Sequence, residues 1–302
     1  MTDVVVRPSA PVAPVTPAAA ALRHDAVLKI GGSVLTGPAG YAAAASHLVA
    51  RLASEPQARF VVVVSAEFGH TDALRDEASA IGATGPGRPD SGGRGAALLD
   101  LLWSTGETRS VALLSPRLRA LGASATGLAV HETGLERAAG GDGLVLAPGR
   151  LAPALAAHRI VVVPGFVALE DQRIVTLGRG GSDWSAVLLA TALGATRCER
   201  IKDVDGDFTA DPAVRPEARL ISCLPFTAAL HTAEDGCPLV QRHALAEAAR
   251  ARLPLVIRSL ASPGTLVQES RHGVCDQDHP LQSAAGSGDR IDRGTDLPDD
   301  HL

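Results

Sequence analysis

The sequence predicts an α/β fold built on a mostly parallel sheet with helices on both faces. Short runs rich in β-branched residues (Val27 to Ile30, Phe60 to Ser65, Val111 to Leu114, Ile160 to Val163, Leu255 to Ile257) alternate with Ala- and Leu-rich segments of helical length. Those segments include Tyr41 to Ala53, Gly93 to Trp103, Ser182 to Leu193 and Val240 to Arg252. The strand-like runs are apolar throughout, as expected of strands covered on both faces. A composition of 46% hydrophobic and 20% charged residues suits a large core, and with only 3% aromatics that core must be made of Ala, Val and Leu. In such sheets ligands bind beyond the carboxyl ends of the strands, so the chemistry is expected where each strand stops.

The flanks read differently. Residues 1–25 are Pro- and Ala-rich, lack the ordered parts of a signal peptide and predict a flexible leader. Residues 268–302 are polar, Gly/Asp/Ser-rich and without apolar period, which predicts a disordered tail. In that tail His272, Cys275 and His279 match no common zinc spacing, and no metal site is expected. A net charge of −5 with scattered arginines argues against nucleic acid as a partner. No apolar run approaches the roughly 18 residues of a membrane span. The four cysteines form no CxxC pair and no evident disulfide framework, which suits a reducing, cytoplasmic setting. Small-molecule chemistry is the class that remains.

The first strand leads into "KIGGS", where Lys29 is one of only two lysines in the chain, arginine carrying nearly all the other positive charge. Glycines at Gly31 and Gly32 let backbone amides approach a ligand, and a helix start beyond Ser33 adds positive potential, a combination suited to phosphate oxygens. A compact ammonium reaches such an oxygen as a point charge, whereas a planar guanidinium needs room and a fork-shaped partner. A Gly-Gly pair after a strand also makes an ordinary tight turn, and the residues alone leave both readings open. The second strand delivers Ser65 and Thr71 to a glycine-containing loop, as helix caps or as ligand contacts. In "WSTGETRS", Glu107 follows a glycine near the close of an apolar helix, as a solvated helix end or as a partner for an ammonium group.

In "TLGRGGSDWSAVLLATAL", Arg179 precedes two glycines, Ser182 is suited to an N-cap and Asp183 opens a buried helix. An arginine fork there can hold a carboxylate bidentately while an acid four residues on holds an amine, so the pair suits an α-amino acid. The segment "CERIKDVDGDFTADP" brings Lys202, Asp203 and Asp205 to a strand end, followed by Phe208, Thr209 and Asp211. Acids followed by an aromatic ring suit a nucleotide, with ribose or Mg²⁺ contacts and base stacking, although Asp205-Gly206 is also a plain turn pair.

Taken together, "KIGGS", "VVSAEFGHTDAL", "STGE", "LGRGGSD", "DVDGDFTADP" and "IRSLASPGTLV" resemble the catalytic domain of aspartokinases, within the amino acid kinase family, over about Ala26 to Val267. The resemblance implies a three-layer αβα sandwich with an acceptor-binding lobe near residues 26–170 and an ATP-binding lobe near 171–267. It implies ATP-dependent phosphorylation of the side-chain carboxylate of L-aspartate, with ATP and Mg²⁺, in a homodimer whose acyl phosphate product passes to a consuming enzyme. Carried over by position, Lys29 and Asp183 are catalytic; Lys202, which stands where relatives differ, is added to them as this chain's own candidate. Ser65, Thr71, Glu107, Arg179 and Asp183 bind the acceptor, with Glu107 and Asp183 on its ammonium and Arg179 on its α-carboxylate. The ATP set is Lys29, Gly31, Gly32, Ser33, Lys202, Asp203, Asp205, Phe208 and Asp211.

The departures from that pattern are informative. Relatives commonly read KFGGTS at the first strand, threonine where Lys202 stands, tyrosine at Phe208, and an ATP-binding lysine where this chain has Pro238. The acceptor set is intact and the ATP set is rebuilt, which leads us to expect that Lys202 carries the charge missing at Pro238. Aspartokinases generally continue into paired regulatory ACT domains, whereas only a polar stretch follows Val267, so insensitivity to lysine and threonine and service in a specialised pathway are the expectation. The same rebuilding leaves room for a kinase of another amino acid or small carboxylate, or for a non-catalytic nucleotide- or amino-acid-binding protein.

Overall fold

The computed structural model describes residues 26–83, 94–138, 143–178, 180–234 and 239–269. The expected leader, the expected tail from residue 270 on, Arg179 and Pro238 lie outside them; Gln268, expected to open the tail, instead closes a strand, Thr265–Gln268. An eight-stranded sheet runs in the order β10-β12-β11-β9-β1-β2-β6-β3. Its centre is formed by β1 (Ala26–Ile30), flanked by β2 (Phe60–Val64) and β9 (Arg197–Ile201), with β6 (Ile160–Pro164) and β3 (Ala125–Gly127) beyond β2. On the other side lie β11 (Leu255–Arg258), β12 (Thr265–Gln268) and β10 (Cys223–Pro225). Only the β11/β12 pair is antiparallel. A smaller sheet, β5-β4-β7-β8, joins β4 (Leu135–Arg137), β5 (Leu144–Leu146), β7 (Val167–Glu170) and β8 (Arg173–Thr176).

The apolar strands divide their side chains between two helical layers. Val27, Val61, Val163 and Cys198 pack against α5 (Pro148–Ala157), α6 (Gly181–Ala192), α7 (Phe226–Glu234) and α8 (Arg242–Ala251). Leu28, Ile30, Phe60 and Val62 pack against α1 (Gly37–Ser54) and α3 (Arg94–Ala120). This is the expected three-layer αβα sandwich, its central strands buried on both faces. Two short helices, α2 (His70–Ala80) and α4 (Val130–Thr133), complete the chain. No helix among the described residues is long and apolar enough to cross a membrane.

Three expectations are corrected. Val111 to Leu114 is not a strand but the middle of α3: Val111, Leu114 and Leu118 recur at helical spacing and share one buried face. Ser182 is not the cap of α6, which starts from Gly180 in a left-handed conformation with no side-chain cap. Cys223 is disulfide-bonded, against the expectation of no disulfide framework, because pairing follows spatial proximity that linear spacing does not report. Cys198 is a free thiol, and burial raises its pKa well above the ordinary value.

Strand ends that share one edge set up the site. Ile30 is in register with Val64 and with Ile201, and Ile201 in turn with Arg258. The order of strands reverses at β1, the position at which open α/β sheets hold ligands. Just beyond it, the Gly32 backbone passes so close to the β2–α2 loop that a Cβ there would stand 2.2 Å from the Ala66 carbonyl oxygen. At Gly31 the nearest atom to an added Cβ is 3.4 Å away. We therefore expect Gly32→Ala to cost about 2 kcal/mol or more in denaturant unfolding, and Gly31→Ala about 1 kcal/mol or less. Equal costs would show that the close approach does not constrain the turn.

Candidate active site

Lys29 sits on the α6 side of β1, beside Arg200 in the register of β1 with β9. Two cations side by side in a buried sheet repel, and Asp183 in the first turn of α6 answers both. Lys29 Nζ lies 3.0 Å from Asp183 Oδ1, and Arg200 Nη2 lies 2.9 Å from Oδ2. Burial alone would raise the Asp183 pKa, but Lys29 and Arg200 overcome it and hold the carboxyl below its usual range. Burial, with Arg200 nearby, lowers the Lys29 ammonium from its ordinary value while Asp183 acts to raise it. Asp183 was expected on the ammonium of an amino acid; its two oxygens are instead engaged by protein cations. It therefore fixes Lys29 at the strand end.

Glu107 is the carboxylate left open. It lies mid-way along α3, not near its close, and is only 3% exposed. Gly106 lets α3 approach the end of β2 so closely that a Cβ would stand 2.7 Å from Ala66 Cβ. The Ala66 N–H consequently donates to Glu107 Oε1 at 3.1 Å, while Oε2 is buried without a partner among the described residues. Burial pushes this carboxyl up to about 7, with the Ala66 amide and Lys29 opposing.

Lys29, Glu107 and Asp183, with Ser65 and Thr71, line one cleft of about 300 Å³, so the expected acceptor set converges apart from Arg179, which is not described. Arg200, Phe166 and Gln241 share the cleft and were not expected. Arg200 was legible in principle, as a charge at an alternating position of a buried strand. Glu67, also missed, accepts from the Gly37 amide at 2.6 Å and pairs with Arg109 at 2.6 Å, strapping the β2–α2 loop to α1 and α3. A larger groove of about 660 Å³ lies between α3 and β3, but it gathers mostly small and apolar residues rather than convergent charge.

The expected nucleotide residues gather at the ends of β1 and β9. The Gly31 amide is not free to cradle a phosphate, since it donates to the Ile201 carbonyl at 2.9 Å. The Gly32 and Ser33 amides have no acceptor among the described residues. Ser33 Oγ donates to Asp203 Oδ1 at 2.9 Å, tying the two strand ends together. Lys202 is half-buried, its Cγ about 4.0 Å from where a Gly31 Cβ would stand, so it lies over the glycine turn and not out in solvent. Asp205 accepts from Ser259 Oγ. Phe208 is half-buried and bridges to Leu220. Asp211 is exposed and accepts from the Ala213 amide, closing its own turn. No group of three or more His, Cys, Asp or Glu side chains that could hold a metal occurs among the described residues.

The model of the amino acid kinase family matches residues 26–259. The chain belongs to that family. It is 34% identical over 275 residues to an aspartokinase of Corynebacterium efficiens, an overlap of 88% of this chain and 61% of the relative. Among solved structures, aspartate kinase from Synechocystis matches with a TM-score of 0.68 at 34% identity, over 81% of this chain and 40% of that one. E. coli aspartokinase III, crystallised with aspartate and ADP, matches with a TM-score of 0.67 at 26% identity, over 82% of this chain and 65% of that one. The chain spans about half to three fifths of the length of the curated relatives it matches.

The open carboxylate has a cost that can be measured. The folded state holds the Glu107 proton at about 7 against an ordinary 4.5, so the stability it contributes is present below the unfolded value and lost as pH rises toward 7. Glu107→Gln should therefore raise stability near pH 8 relative to the native chain, by up to about 3 kcal/mol, and by little near pH 4. Unfolding curves that differ by the same amount at both pH values would contradict the burial argument.

Proposed function

We propose that this chain is a kinase that uses ATP to phosphorylate the side-chain carboxylate of L-aspartate. One observation carries the reading: a buried lysine fixed at the end of a central strand faces, across a single cleft, a buried carboxylate with an unpaired oxygen. The first suits a transferring phosphoryl group and the second the ammonium of a zwitterionic acceptor. Membership of the family and the likeness to a structure holding aspartate and ADP support it.

The acceptor carboxylate is already anionic at neutral pH, so no general base is required. A carboxylate oxygen bonds to the γ-phosphorus as the bond from that phosphorus to the β,γ-bridging oxygen breaks, and the electron pair leaves with ADP. Catalysis is then positioning and field. Lys29, held by Asp183, offsets the repulsion between two anions, and the open Gly32 and Ser33 amides face the phosphates. Glu107 takes the acceptor's ammonium with Ser65 and Thr71 beside it, and Arg179 takes its α-carboxylate. Lys202, over the glycine turn, supplies the charge missing at Pro238, with Asp203, Asp205, Phe208 and Asp211 completing the nucleotide side. Mg²⁺ would be carried on the nucleotide, where it would offset phosphate charge, and Asp203, exposed at the end of β9, is the carboxylate that would hold it. The portion near 26–170 thus supplies most of the acceptor contacts and that near 171–267 most of the nucleotide contacts, with the Lys29–Ser33 turn and Arg179 crossing between them. A cytoplasmic homodimer handing its acyl phosphate to a consuming enzyme completes the reading.

Incubation with Mg-ATP, L-aspartate and hydroxylamine should yield the hydroxamate. Lys29→Ala should abolish it, and Lys202→Thr should lower kcat by about tenfold for each 1.4 kcal/mol of lost transition-state contact. No hydroxamate with aspartate, but product with another acid from an amino acid panel, would overturn the substrate assignment.

The pH dependence tests Glu107 itself. Below about 7 its carboxyl is protonated and cannot pair with an ammonium. KM for aspartate should therefore rise as pH falls from 8 to 6, and Glu107→Gln should show a high KM that no longer varies over this range. A native KM flat across that interval would remove Glu107 from the acceptor site.

A further inference from the structure

Arg200 is the charged group in the cleft to which the sequence assigned nothing. Its side chain is 14% exposed, and Nη2 holds Asp183 at 2.9 Å. Nε and Nη1 are buried with no acceptor among the described residues. Buried donors without partners are costly, and a guanidinium with two idle nitrogens beside a ligand cleft calls for an acceptor from outside the chain. The surroundings are cationic. Lys29 is its register partner on β1, and Lys202 lies two residues on, over the glycine turn. Of the acids in electrostatic reach, Asp183 is shared between Lys29 and Arg200, Asp203 accepts from Ser33, and burial pushes the Asp207 carboxyl up to about 6 despite Arg200 and Lys202. Lys29 and Arg200 thus share the single carboxylate of Asp183, which leaves one positive charge unbalanced within that cluster, beside two guanidinium nitrogens with no acceptor among the described residues.

We propose that Arg200 is a ligand of the nucleotide's terminal phosphate, its guanidinium anchored to Asp183 by one nitrogen and completing with Lys29 and Lys202 a three-cation seat for that phosphate. The inference rests on the kinase reading above but not on which acid accepts the phosphoryl group. A planar fork held at one corner keeps its orientation, so the remaining donors are aimed before the nucleotide arrives. Because ADP lacks the terminal phosphate, the contact belongs to ATP and to the transition state and is absent from the complex with ADP alone.

The test is nucleotide binding without acceptor, by calorimetric titration of Mg-ATP and Mg-ADP into the native chain, Arg200→Met and Arg200→Lys. Arg200→Met should lose at least tenfold in ATP affinity and less than threefold in ADP affinity. Arg200→Lys keeps a cation for Asp183 but lacks the idle donors, so it should lose ATP preference while retaining the native melting temperature. If Arg200 only holds Asp183, Arg200→Lys will match the native chain for both nucleotides, and that result overturns the proposal even where Arg200→Met does not fold. Equal losses for ATP and ADP overturn it as well. A native chain that binds ATP with the expected preference yet gives no hydroxamate with aspartate would sink the acceptor assignment alone.

Discussion

Everything around the site depends on the buried ion cluster of Lys29, Asp183 and Arg200. Removing three charges from water is expensive, and mutual attraction offsets that cost only when the geometry is good. The geometry here comes from two independent sources. Strand pairing places Lys29 and Arg200 abreast, and the helix after β8 carries Asp183 down onto them in its first turn. With one carboxylate serving two cations, the cluster keeps net positive charge at the point where the strand order reverses. A single pair would have been neutral there and of less use to an anion.

The opposite face of β9 is charged as well. Glu199, nearly fully buried, pairs with Arg51 of α1 at 2.7 Å and with Arg197 at 2.7 Å. Successive residues of one buried strand therefore send Glu199 toward α1 and Arg200 toward α6. A slip of one residue would exchange them, leaving Arg200 against Arg51 of α1 and Glu199 against Asp183, with Lys29 alone to answer two carboxylates. An apolar strand tolerates slippage far better. The two charges thus fix which residue of β9 faces the cleft, and fix it from both sides of the sheet.

Strands β1, β2 and β6 were legible because their apolar runs are nearly uniform, and α1 and α6 because theirs are long. Val111 to Leu114 misled because a single β-branched residue beside Ala and Leu was read without the longer helical period around it. The small sheet of β4, β5, β7 and β8 escaped because strands of three or four residues carry no period to read. Within the site, Lys29, Ser65, Thr71 and Asp183 stood at strand ends and helix starts, places where pattern and chemistry coincide, while Glu107, mid-way along α3, was marked by the glycine before it. Arg200 and Glu67 were missed: one stands in a strand whose mixed RCERI sequence gives its charge no motif, and the other matters only through amide and guanidinium partners 30 and 42 positions away in the chain. That Asp183 answers two cations at once is likewise a property of β1–β9 pairing, invisible in either segment alone.

The eight-stranded sheet crosses residue 171 without a break, and β1 and β9 are joined by five register pairs through its middle. A rigid-body rotation of one portion of the chain against the other would have to shear that pairing and with it the ion cluster. The sheet is therefore a fixed bed. The spacing of Lys29, Asp183 and Arg200 is thereby set by strand pairing and not by how two portions of the chain meet.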